Sequence, residues 1–195
     1  MNKPRHSIRT VIQNRSRFPI DIVWENAQDL EHVAFLHSST NKEFHLLYAG
    51  KEKESAYEYD ILVYRAKRRL FYFFSFQSFG FRRIVAEYNI HQVECIPLFS
   101  TISSLNSLLL KSDDPEYPTL MVDEVVMEVP WFFVFLKTWI IRSLHRHARI
   151  QCSEDEPFRE RRALLQRKGI NLPFRIFNES AWDRLCGKFE ERLQS

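Results

Sequence analysis

The stretch WENAQDLEHVAFLH, residues 24–37, holds the side chains best suited to chemistry. On a helix advancing ~100° per residue, Asn26, Asp29, His32 and His37 fall on one polar stripe. With Asp29 at zero, His32 lies about 60° to one side and His37 about 80° to the other. Imidazoles five residues apart diverge, so they meet on one ion where a helix ends or bulges near the second. Asp29 lies between them, placed to hold a ring N–H and fix the tautomer that frees the other nitrogen for a metal. Iron(II) oxygen chemistry uses two His and one carboxylate on one face of an octahedron and leaves the other face open. Such a set would suit Fe(II), with His32 and His37 as two of its ligands.

The carboxylate has to come from far along the chain. Asp155, in SEDEP (residues 153–157), is the candidate. A joint between two helices there lets a short carboxylate point inward. Glu154 and Glu156 compete with it. The same acidic trio also suits a helix N-terminus for dipole reasons.

The elements that must position these groups follow from periodicity. Residues 1–17 read as a basic, polar leader, and residues 18–195 as a single domain. A short helix is expected over 26–37. Strands follow: Phe44, Leu46 and Tyr48 alternate, as do Tyr57, Tyr59, Ile61 and Val63. A third strand, 69–79, is ended by Gly80, and a long fourth, 81–96, by Pro97. Weaker strands cover 98–110 and 119–127. From Pro130 the period changes to that of a helix reaching about residue 151, apolar almost all round in its first half. Ser153 caps a following helix with Pro157 in its first turn. A last amphipathic helix covers 180–193. The order points to an α+β fold, a curved antiparallel sheet of about six strands over a long helix. Such a sheet often leaves an apolar cavity beneath the helix.

Bulk properties narrow the function. The 195 residues are 45% hydrophobic and 27% charged, which suits one well-buried core. The net charge is +3 and the basic residues are dispersed, so no nucleic-acid partner is expected. The Lys67-Arg68-Arg69, Arg82-Arg83 and Arg161-Arg162 runs read as solvated surface. Cys95, Cys152 and Cys186 are isolated and odd in number, which suits a reduced, cytoplasmic protein without a cysteine nucleophile. His145 and His147 read as surface residues, and His45 and His91 as strand residues without partners. The greasy helix after Pro130 is expected in the core, with peripheral membrane contact as its alternative.

The string Glu25-Asn26-x2-Asp29-x2-His32-Val33-x-Phe35-x-His37 resembles the iron-binding signature of Rieske non-haem iron oxygenases. Within them it is nearest the pheophorbide and chlorophyllide oxygenase and ketosteroid hydroxylase branch. The resemblance implies that His32 and His37 bind the iron, that Asn26 lies near it, and that Asp29 links it to the Rieske cluster of a neighbouring subunit. Glu154-Asp155-x-Pro157-x4-Arg162 is similar to the region of the family's third ligand, which implies Asp155. The likeness covers roughly residues 18–168 and implies a helix-grip, START-like catalytic domain acting on a large hydrophobic aromatic, steroid, polyketide or tetrapyrrole substrate. A Rieske cluster needs Cys-x-His and Cys-x2-His pairs, and no cysteine here is followed by histidine at either spacing. Three readings follow: an oxygenase fed by a separate Rieske or ferredoxin-like electron donor, a START-like hydrophobic-ligand binder with a relic metal site, or an accessory subunit of a Rieske oxygenase.

Overall fold

The computed structural model describes residues 5–28, 41–51, 61–70 and 74–169. Seven antiparallel strands form one sheet: β1 (Arg5–Ser16), β2 (Asn41–Gly50), β3 (Ile61–Leu70), β4 (Phe74–Ala86), β5 (Asn89–Ile96), β6 (Thr101–Lys111) and β7 (Thr119–Pro130). Their spatial order is β1-β7-β6-β5-β4-β3-β2. The chain from β2 to β7 is thus a meander, and β1 closes onto its last strand. Helix α1 (Ile20–Gln28) follows β1, and the long helix α2 (Lys137–Arg167) follows β7. The α+β expectation of a sheet with a long helix holds.

Several expected boundaries move. Residues 5–16, read as a leader, form an edge strand paired along its whole length with β7. Its even-numbered side chains face inward, with Ile8, Ile12 and Ser16 buried, while Arg9, Gln13 and Arg15 face solvent. The outward face made the segment look uniformly polar. Helix α1 begins at Ile20 rather than Asn26, its first turn closed by the Val23 amide on the Pro19 carbonyl at 3.2 Å. Ile22, Val23 and Trp24 are buried in the core with Ile84, Ile90, Leu109 and Met121.

Gly80 does not end a strand. It lies within β4, opposite Tyr64 of β3, and its missing side chain makes room for the Tyr64 ring. That ring is also stacked on Phe44 of β2 with centroids 5.0 Å apart. The β4–β5 hairpin turns instead at Glu87-Tyr88, where Tyr88 takes φ 62°. Non-glycine residues hold this conformation at a cost, offset by local contacts. Tyr88 has three: its carbonyl accepts from the Leu109 amide at 2.9 Å, its hydroxyl donates to Asp21 at 2.6 Å, and its ring meets Trp24 edge-on at 5.7 Å. The hairpin is thereby tied to α1.

The expected pair of helices around residue 153 is one helix. Pro157 sits inside α2, where it leaves the Ser153 carbonyl without its usual amide donor. The Ser153 hydroxyl meanwhile bonds back to the Ile150 carbonyl at 2.7 Å. Before α2, Trp131–Leu136 form a 3-10 turn whose aromatic side chains are largely exposed, so this segment is not the core helix that its composition suggested.

Candidate functional site

A cavity of about 290 Å³ lies between the inner face of the sheet and α2. Its apolar wall includes Ile12, Phe76, Leu105, Val125, Met127 and Leu144. Strand alternation puts them there. Odd positions face inward on β6 and β7, even positions on β1, β4 and β5, and Leu144 projects from the helix onto them.

The same alternation turns charge inward. Leu62, Tyr64 and Ala66 are buried on β3, so Arg68 also points inside, while Lys67 reaches out to Glu43 at 2.9 Å. On β4 the inward residue opposite Arg68 is Phe76, but from it to the position opposite Glu94 the further inward residues are only Ser78 and Gly80, too small to block a long arm. The Arg68 guanidinium passes over β4 and forks onto Glu94 of β5, Nε to Oε1 at 2.8 Å and Nη2 to Oε2 at 2.7 Å. Burial pulls Arg68 towards neutrality, but Glu94 outweighs it and the guanidinium ends more basic than usual. Burial pushes the Glu94 carboxyl up, but Arg68 and a hydrogen bond from Ser78 hold it below the usual carboxylate range. The pair is therefore ionised on the cavity wall.

Two further titratable groups face the cavity. Asp123, inward on β7, is pushed above its ordinary range by burial, although a hydrogen bond to Ser107 opposes this. His147 projects from α2 into the same space. Gln92 and Gln151 add neutral amides. The cavity can hold an apolar body and meet a polar end with a fixed ion pair, a carboxyl inclined to keep its proton, and an imidazole.

The basic runs read as solvated surface therefore split. Arg68 lines the cavity. Arg82 is buried, donates through Nη2 to the Ala27 carbonyl at the end of α1, and is pushed down to about 10 by burial. Arg162 pairs with Glu25 across the two helices at 3.6 Å. The histidine expectations change as well. His91 lies 3.0 Å from Ser104, and His145, far from being free surface, lies 3.0 Å from Thr10 of β1. For Glu94 the signal that could have found it is period two, in step with the buried Ile84 and Ile90; Arg68 lies on the even face of β3, opposite the Ile61 and Val63 face that the alternation marked, and no strand face marked Asp123.

The sequence-derived iron residues divide. Asp29, His32 and His37 lie outside the described residues. Asn26 is 1% exposed in α1, and its Oδ1 has no hydrogen-bond partner among the described residues. Asp155 is buried inside α2, not at a helix joint, and its Oδ2 accepts from Arg159 Nη2 at 3.0 Å. Arg159 also approaches the Met121 sulfur at 3.8 Å. Glu154 stays beside Asp155 on the helix, and Glu156 pairs with Arg17 at 3.1 Å. Among the described residues no three His, Cys, Asp or Glu side chains converge as a metal site.

No protein-family model and no curated protein matches this sequence. Solved structures do match in shape. The di-domain ARO/CYC protein StfQ from the steffimycin biosynthetic pathway aligns with TM-score 0.61 at 9% identity, over 80% of this chain and 52% of that one. The di-domain ARO/CYC protein BexL from the BE-7585A pathway gives 0.57 at 12%, over 77% and 49%. A Staphylococcus aureus protein of unknown function gives 0.58 at 13%, over 82% of this chain and 98% of that one. The fold is a helix grip. The chain spans about half the length of the two di-domain proteins and nearly all of the S. aureus one. Identities this low carry the helix-grip part of the sequence expectation and do not distinguish the Rieske oxygenase domain within it. In this helix grip, the gripped helix is α2, and the cavity lies where the sheet curls over it.

Proposed function

We propose that the protein binds a small, largely apolar molecule with a polar end in the cavity between the sheet and α2. The observation that supports this most is the placing of the Arg68–Glu94 pair, Asp123 and His147 on an otherwise apolar wall. Ligand pockets are mostly apolar with a few convergent polar groups. Charges inside a sheet serve a solid core poorly, because burying them costs more than packing hydrocarbon there. The volume of about 290 Å³ suits a one- or two-ring compound better than a large polycycle. The likeness to two ARO/CYC proteins of biosynthetic pathways is consistent with an oxygenated aromatic ligand. The test is a fluorescence titration with 1-naphthol, against wild type and a Val125→Trp variant that fills the cavity. Saturable binding is expected for the wild type and not for the folded variant. Equal binding by both, or none by either, would refute the reading.

A second reading is iron-dependent oxidation of the bound molecule, with electrons from a separate Rieske or ferredoxin-like partner. The buried, unpartnered Asn26 Oδ1 favours it, because such an atom near the α1–α2 contact calls for a donor or a cation. Its ligands are His32, His37 and Asp155, with Asn26 and Asp29 beside them. Iron content measured on protein purified without chelator tests it. About one iron per chain, lost in His32→Ala, is expected; none in the wild type ends this reading and leaves ligand binding untouched.

A further inference from the structure

The outer surface carries a feature that ligand binding does not use. Trp131 is 61% exposed, Phe135 79%, Trp139 47% and Leu98 60%. Trp131 and the Leu98 turn are joined through ring contacts, and Phe135 and Trp139 follow along the same stretch of chain. Phe99, next to Leu98, meets Phe133 with ring centroids 5.9 Å apart, and Phe133 lies against Phe132 at 4.7 Å. Scattered exposed hydrophobics are ordinary, but a contiguous aromatic patch marks a surface that meets something apolar.

The charge around it says what. Residues 129–153 contain Lys137, Arg142, Arg146 and Arg149 and no Asp or Glu. Trp139, Arg142, Arg146 and Arg149 are spaced 3, 4 and 3 apart on α2, which puts them on one face within an arc of about 80°. All four are exposed. Leu144, His147 and Gln151 occupy the opposite, cavity-facing side. The nearest acid before the patch, Glu128, is paired with Arg5 at 3.5 Å. Tryptophan and phenylalanine with arginine alongside are the composition of interfacial membrane anchors, where rings enter the headgroup region and guanidinium groups meet anionic lipid. No helix among the described residues is long and apolar enough to cross a membrane, so the contact is peripheral.

We propose that the aromatic patch of residues 131–139, with the arginine face of α2, docks the protein on an anionic lipid bilayer. Rings from Trp131, Phe132 and Phe135 enter the interface, and Arg142, Arg146 and Arg149 lie along phosphate and carboxylate headgroups. The proposal is independent of what the cavity holds.

The test is co-sedimentation of the full chain with phosphatidylcholine vesicles, with and without phosphatidylserine. The wild type is expected to sediment with the anionic vesicles and to be released by salt. Trp131→Ser with Phe135→Ser is expected to abolish sedimentation while circular dichroism stays native. Arg142→Gln with Arg146→Gln is expected to weaken binding about thirtyfold and flatten the salt dependence. Absence of wild-type sedimentation, or unchanged sedimentation of the aromatic variant, overturns the proposal. So does a dimeric wild type, by gel filtration, that the aromatic substitutions make monomeric, because the patch is then a subunit contact.

Discussion

Arg68 on β3 and Glu94 on β5 are bound through a two-point fork, although a whole strand separates them. The reach works because β4 presents Ser78 and Gly80 on the intervening inner surface. Removing one partner leaves a charge on the cavity wall without its complement. Arg68→Met or Glu94→Gln is expected to destabilise the fold by about 2 to 3 kcal/mol, while Arg68→Met with Glu94→Leu costs less than either alone. Urea denaturation of the three variants measures the coupling. Additive losses would show that the pair contributes little as a pair.

Asp123 supplies a pH dependence of opposite sign to most carboxylates. Its folded pKa is raised above the ordinary aspartate range because burial disfavours the charge. The folded state therefore holds this proton more tightly than the unfolded chain. Its contribution is fully present below the unfolded pKa and is lost as pH rises through the folded one. Asp123→Asn is expected to raise the melting temperature at pH 7 and to give no gain near pH 3. A gain of equal size at both values would rule out the buried carboxyl as the cause.

Gly80 and Tyr64 form a packing pair with a measurable signature. A Cβ at position 80 would fall against Cζ and the hydroxyl of the Tyr64 ring, which is itself buried under Phe44. Gly80→Ala is expected to cost about 1 to 3 kcal/mol. Combined with Tyr64→Leu, which vacates the space, the same change should cost markedly less than it does in the wild type. Thermal or chemical unfolding of the four proteins completes the cycle.

Cysteine reactivity should rank by burial. Cys95 is exposed, whereas Cys152 packs against the core and its thiol is pushed up to about 11 by burial. At pH 8 the thiolate fraction of Cys152 is small, so of these two alkylation is expected at Cys95 before Cys152. Peptide mass mapping of a timed iodoacetamide reaction shows the order. Early labelling of Cys152 would mean that this helix face opens.

The sequence alone determined the class of the fold. Alternation over residues 44–48 and 57–63, the further strand candidates up to residue 127 and the change of period after Pro130 name an antiparallel sheet followed by helix, because strand and helix faces repeat at different intervals. It also singled out Asn26 and Asp155 as unusual polar residues, and both are buried. It did not reveal β1, because an edge strand with one polar face offers only Ile8 and Ile12 as its inward signal. Nor did it reveal that Pro157 sits within a helix, because packing of α2 on α1 and the sheet outweighs a single missing hydrogen bond. Tertiary structure alone decided the site. Arg68 and Glu94 lie on strands that do not touch, and Asp123 and His147 come from elements more than fifty residues further along than Arg68. Their meeting depends on how the sheet curls over α2. The exposed aromatic patch was settled the same way: composition marked residues 131–139 as apolar, and only the path of the chain showed which of those side chains the core leaves outside.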